Sequence, residues 1–343
     1  MVATRRSVII YVVVILALIA SVFAACVFGS SEIGFRTVLD VLKQQLFHIE
    51  TEEIMPQKLY IIWNLRLPRA LLAFVVGGGL AIAGAAMQSI TRNVMADPYV
   101  LGVSSGALAF VSAGYLIGGT LVITSWFIPS LAFIDAMFSI ALVFIIGGFS
   151  KDTSPAKLIL SGTAISVTLN AAAQYGIYNS QSSNKANSII SWMMGSLAGA
   201  RWDNIAIPFL GSIGGVIVFI SLARAFDLIS LGDETAISLG TNIAWIKRIS
   251  LVIVAVIAGI SVANCGIIGL VGFVIPHVVR FLCGTGHRRL FFISFLTGGV
   301  FLIWMDILSR TLLAPQEIPI GIFTALCGGP YFIWILKKKA TRR

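Results

Sequence analysis

Charge is what this sequence has least of. Asp, Glu, Lys and Arg make up 11% of its 343 residues, under half of the ~25% usual in a soluble domain. A chain so poor in charge has too little polar surface to wrap a core in water. The remaining composition agrees, with 58% hydrophobic residues and a mean hydropathy of +0.97, values that imply an integral membrane protein. Cysteine is scarce as well. Cys26, Cys265, Cys283 and Cys327 stand far apart in apolar stretches, so neither a disulfide framework nor a thiolate metal site is expected. The three histidines are scattered without metal-ligand spacing, and no metal or cofactor is expected. No G-x-x-x-x-G-K-[ST] occurs, so the chain has no phosphate-cradling loop of its own, and any ATP hydrolysis belongs to a partner.

What is present is a series of long apolar runs. About 20 residues cross the hydrocarbon core of a bilayer, and the runs predict ten helices near 8–28, 68–90, 98–122, 131–149, 157–178, 204–224, 247–265, 267–283, 290–308 and 319–336. Polar or Gly/Pro turns separate them, leaving no length for a soluble domain. The expected fold is all-α, a polytopic membrane bundle of about ten transmembrane helices forming a single domain over residues 1–343. The first run ends in "SVFAAC", which has the look of a secretory cleavage site. Its apolar stretch exceeds the ~7–15 residues of a signal h-region, so it is read as an uncleaved first helix.

The net charge of +10 raises the question of nucleic acid, and the placement of the basic residues answers it. With the N-terminus in the cytoplasm, most of the 24 Lys and Arg fall on that side, leaving Arg36, Lys43, Lys58, Arg66, Arg69, Lys185, Arg201 and Arg310 outside. This is the positive-inside bias, with both termini cytoplasmic. The tail "KKKATRR" is then a topology anchor against the lipid bilayer, and no nucleic-acid partner is expected.

Several short patterns carry further information. In "VVGGGLAIAGAAMQ", Gly77, Ala81 and Ala85 recur at four-residue spacing, as do Gly79 and Ala83, with Gly84 and Gln88 in the same stretch. Such stripes let helix backbones approach closely. Helix packing is the first reading and lining of a translocation path the second. Next comes "RNVMADPYVLGVSSG", read as a turn in which Asp97 sits at a helix N-terminus and Pro98 in its first turn. Its Gly102–Gly106 segment matches G-x-S-x-G, but a nucleophile elbow needs a strand, a turn and a helix with a histidine and an acid nearby. Ser104 and Ser105 are instead expected to bond between helices.

The segment "LGDETAISLGTN", about 231–242, breaks two apolar runs with a short helical pattern, Asp233 and Glu234 at its start and Gly240 at its end. From pattern alone it is an ordinary interhelical loop. Arg66, Arg69 and Arg310 run against the charge bias, although Arg310 follows Asp306 by four residues and an intrahelical pair is a competing reading.

Longer motifs point to a family. "LRLPRALLAFVVGGGLAIAGAAMQSITRNVMADPYVLGVSSGA", "LGDETAISLGTN", "SVANCGIIGLVGFVIPHVVRFLCGTGHRR" and "MDILSRTLLAPQEIPIGIFTALCGGP" follow one another in order. Together they resemble the permease family of bacterial ABC importers for iron-siderophore, haem and cobalamin, across roughly residues 60–336. The resemblance implies a multi-pass permease of the bacterial cell membrane that is not itself an enzyme. It implies separate ATP-binding cassette ATPase subunits, an extracytoplasmic substrate-binding protein, and a second permease subunit, identical or paralogous. It assigns Gly232, Asp233, Glu234, Ala236, Leu239 and Gly240 to a helix that docks on the ATPase, and Arg66, Arg69 and Arg310 to acidic residues of the binding protein. The turn "KDTSP" is similar in position to the family's cytoplasmic gate. An ion-coupled carrier is the alternative, but it needs intramembrane carboxylates, and only Asp135 and Asp306 are available.

Overall fold

The computed structural model describes residues 2–49, 54–117, 127–147, 155–180, 183–284 and 286–340, and among these every regular element is helical. In chain order they are α1 (Val2–Val27), α2 (Phe35–Phe47), α3 (Pro56–Tyr60), α4 (Leu67–Thr91), α5 (Val103–Ile117), α6 (Phe127–Gly147), α7 (Pro155–Tyr178) and α8 (Ser183–Met193). Then follow α9 (Ala206–Ser221), α10 (Ala223–Leu231), α11 (Asp233–Ser238), α12 (Ile243–Cys265), α13 (Val271–Cys283), α14 (His287–Thr311) and α15 (Ile320–Ala340). Each of the ten predicted helices overlaps one of these. Among the described residues, five helical spans are long and apolar enough to cross a membrane alone, six if α9 and α10, bent by 55° at their junction, count as one. The rim of the bundle is apolar, with Leu16, Ile145 and Ile217 exposed, as lipid requires. The turn "KDTSP" falls, but for Pro155, outside the described residues.

The centre is α4. A π-helical turn, Ile61–Arg66, joins α3 to it, giving 36 residues of continuous helix from Pro56 to Thr91. Glycine and alanine allow α4 to be enclosed on all sides. A Cβ on Gly84 would overlap the backbone of Gly272 on α13, and one on Gly77 would overlap the Gly298 carbonyl on α14. Direct backbone contact of this kind replaces the hydrophobic drive that lipid cannot supply.

The third predicted helix begins later than its sequence suggests. Asp97 accepts from the Tyr99 N–H at 2.9 Å and caps a 3₁₀ turn, Pro98–Leu101, which ends at Gly102 with φ +83°. Only then does α5 start, so Pro98 opens a turn rather than the helix itself. Burial raises the Asp97 carboxyl to about 6, opposed by that N–H. Helices α2, α3, α8 and most of α10 lie outside the predicted runs, being short or amphipathic rather than apolar throughout.

Candidate functional site

Polar side chains gather at the two ends of α4. At one end a cleft of about 430 Å³ is lined by Arg66, Arg69, Arg310, Ser31 and Glu317 among others. Arg66 faces the C-terminus of α1, whose last carbonyls have no partner within their own helix. It donates to Cys26 O (2.9 Å), Val27 O (2.7 Å), Ser31 O (2.6 Å) and Ser31 Oγ (3.0 Å). Arg69 donates from Nε to Asp306 Oδ1 at 2.8 Å and forks onto both Glu317 oxygens at 2.8 and 3.0 Å. Arg310 donates to Ala25 O and lies 3.3 Å from Asp306 Oδ2. The intrahelical Asp306–Arg310 pair read as a competing possibility is therefore present.

All three arginines are held by their own chain rather than left free in the cleft. Arg66, Arg69 and Arg310 are 4%, 9% and 6% exposed, because each guanidinium is occupied by carbonyls or carboxylates of its own chain. The open member of the group is Glu317, whose side chain is 42% exposed. Three cations face two carboxylates, Asp306 and Glu317, so the cleft keeps a net positive charge. Beside it Trp202 donates to Trp63 O at 2.9 Å, their rings 5.3 Å apart.

At the other end lies the 231–242 segment, which folds as anticipated into a short helix. Gly232 (φ +126°) and Gly240 (φ +80°) bracket α11, backbone angles that residues with a Cβ rarely adopt. Asp233 pairs with Arg92, just past α4, and with Lys247 of α12 at 2.9 Å. Ala236 is fully buried, whereas Leu239 and Ile237 are 60% and 63% exposed. Ala236 and Leu239, taken together in the sequence, thus have different surroundings: one packs beneath the segment and the other projects from it.

A hydrogen-bonded cluster absent from the sequence reading lies behind α11. Asp227 of α10 accepts from the His287 N–H (3.0 Å) and pairs with its Nδ1 (2.7 Å), while Nε2 lies 2.9 Å from Ser89 Oγ on α4. Arg280 of α13 donates to Ser89 Oγ at 3.1 Å and to Gln88 Oε1, and Gln88 Nε2 donates to Phe273 O at 3.1 Å. The only sequence trace of this cluster is a few polar residues inside apolar helices.

The small-residue positions Gly77, Gly79, Ala81, Gly84 and Gln88 are all buried within the chain. Gly79 faces Ser212 of α9, and Gly298 of α14 lies against Ala81, so these positions make helix contacts. Ser105 corrects the expectation of an interhelical bond: it donates to Gly102 O of its own turn at 3.0 Å. Ser104 is half-buried. Among the described residues no group of His, Cys, Asp and Glu could hold a metal ion.

The chain is similar along most of its length to known proteins. The FecCD transport family matches residues 15–338. The hemin transport system permease protein HmuU of Yersinia pestis is 35% identical, over 92% of this chain and 91% of its own. The Fe(3+)-citrate import system permease protein YfmD of Bacillus subtilis is 34% identical over 98% and 97%. The cobalamin import system permease protein BtuC of Halobacterium salinarum is 36% identical over 82% and 74%. A solved structure, an inward-facing metal-chelate type ABC transporter, superposes with a TM-score of 0.82 at 28% identity, covering 96% of this chain and 99% of that one.

Proposed function

The chain belongs to the FecCD transport family, and from that premise we propose that it is the membrane-spanning permease subunit of a binding-protein-dependent ABC importer. Its cargo is an iron(III)-siderophore-type complex, with haem and cobalamin as the other members of the class. The observation that carries this is the family match from residue 15 to 338, together with relatives that are permeases for hemin, iron citrate and cobalamin.

In this reading the protein spans the cell membrane about ten times with both termini in the cytoplasm. Residues 1–343 form one transmembrane domain that pairs with a second permease, identical or paralogous. The α11 end is cytoplasmic and meets the ATPase through Gly232, Asp233, Glu234, Leu239 and Gly240, with Ala236 supporting them from beneath. A short helix fixed at both ends transmits a rigid-body movement that a loose loop would absorb. The cleft end is external and receives the binding protein. Since the arginines are already paired within the chain, docking is an exchange: a partner carboxylate replaces Glu317 on the fork of Arg69, with Arg66 and Arg310 maintaining the positive field. Gly77, Gly79, Ala81, Gly84, Gln88, Ser104 and Ser105 pack the wall of the path.

Reconstitution in liposomes with the ATPase and the binding protein tests this. Uptake of an iron-loaded siderophore, haemin or cobalamin should require ATP and both partners. Uptake driven by an ion gradient without ATP would overturn the proposal.

A further inference from the structure

The hydrogen-bonded cluster joins α4, α10, α13 and the start of α14. Asp227 lies on α10, which leads directly into the α11 segment, and Ser89 lies in the last turn of α4. His287 bridges them with both ring nitrogens. With Asp227 accepting at Nδ1, the neutral ring carries its proton there and presents Nε2 as an acceptor. The Ser89 hydroxyl has one hydrogen and two acceptors in reach, His287 Nε2 at 2.9 Å and Ala85 O at 2.8 Å. Arg280 fixes the hydroxyl from the far side, and Gln88 ties the same turn to α13. The last turn of α4 is therefore bonded to α13 through Arg280 and Gln88 and meets α10 through His287, whose Nε2 shares the single Ser89 hydrogen with Ala85 O.

A second tie joins the same elements nearer the surface, from Arg92 to Asp233 and to the Ile229 carbonyl of α10 at 2.9 Å. Both of its side chains are about half exposed, at 48% and 43%, so water and salt weaken it. His287 is 4% exposed and Ser89 7%, so the half of the bridge that reaches α4 is sheltered from water and harder to exchange, while its Asp227 end, 48% exposed, is as open as the surface tie.

We propose that His287 is a positioning residue for coupling, holding the α10–α11 segment to α4 so that movement of either reaches the other. This rests on the importer reading given above. Its geometric basis is that α4 belongs to a continuous helix, Pro56–Thr91, of 36 residues, which at ~1.5 Å per residue spans about 54 Å. Along that helix Arg66 and Arg69 line the cleft, and Gln88 and Ser89 follow about 20 residues, or ~30 Å, further on in its last turn. One rigid element thus connects the cleft to the segment that would meet the ATPase, and the bridge fixes its cytoplasmic end.

The test uses the assembled permease–ATPase complex in lipid nanodiscs and reads how far the binding protein, added without cargo, stimulates ATP hydrolysis. His287→Phe retains an aromatic ring beside Phe226 and Phe291, now 5.5 and 5.6 Å away, but has no hydrogen-bonding nitrogen. It should assemble with basal hydrolysis within about twofold of wild type while stimulation falls about fivefold or more. Ser89→Ala, which removes one hydroxyl, should fall in the same direction and covers the case in which the ring variant does not assemble. The double variant should be no worse than His287→Phe alone, because both break one connection. Wild-type stimulation in His287→Phe or in Ser89→Ala, or fully additive losses in the pair, would overturn the bridge alone. Absence of stimulation in the wild-type complex would overturn the importer reading and the bridge with it.

Discussion

A single buried side chain shows what each site demands of its residue type. Arg69 satisfies three acceptor oxygens on two carboxylates, which its planar fork does and a lysine ammonium does not. Arg69→Lys should leave Asp306, 1% exposed, with a single imperfect partner in Arg310. Breaking a buried pair costs about 3–5 kcal/mol, so thermal unfolding in detergent should show a large loss. Asp97, in the connection between α4 and α5, gives a pH prediction. Its folded value is raised from 3.8 to about 6 by burial, so the folded state holds the proton more tightly than the unfolded chain. Its stabilising contribution is full below 3.8, declines as pH rises to about 6, and is absent above. Asp97→Asn should flatten that part of a stability–pH curve, and an unchanged curve would show that the carboxyl titrates normally.

At the scale of the element, α11 is informative because its buried and exposed positions separate two effects. Leu239 projects from the segment and Ala236 lies beneath it. Leu239→Glu should keep the permease fold and stability but weaken retention of the ATPase in a pull-down. Ala236→Glu should lower the stability of the isolated permease as well, since a charge without a partner is forced into a packed site. Equal behaviour of the two variants would show that the segment's packing does not distinguish its faces. The π-helical turn at Ile61–Arg66 belongs to the same scale. It adds a residue to one turn and shifts the phase of the helix ahead of α4, which bears on where Arg66 points.

For the molecule as a whole, the division of labour follows from what the chain contains. Without a nucleotide-cradling loop, the purified permease should hydrolyse no ATP, and hydrolysis should appear when the ATPase is added. Turnover by the isolated permease, after contaminating ATPases are excluded, would contradict this. The two polar ends are separated by a packed apolar body, so any signal between them has to travel through helices.

By itself the sequence determined the solvent, the long apolar helices and the family. Composition excluded water as the surroundings, apolar runs marked ten helices, Asp233 and Gly240 bracketed the short helix at α11, and extended motifs carried the family resemblance. These are local properties, set by neighbours within a few turns, and periodicity records them directly. Tertiary structure alone decided which residues meet. Ser89 and His287 are 198 positions apart and Arg69 and Asp306 are 237 apart, so no spacing rule links them. Burial of the arginines was hidden for the same reason: an arginine near a helix end looks solvated until the carbonyls of α1 and the carboxylates of Asp306 and Glu317 are brought to it. The glycine stripe of α4 signalled close packing, but whether its neighbour was α13, α14 or a path through the membrane depended on how helices from opposite ends of the chain came together.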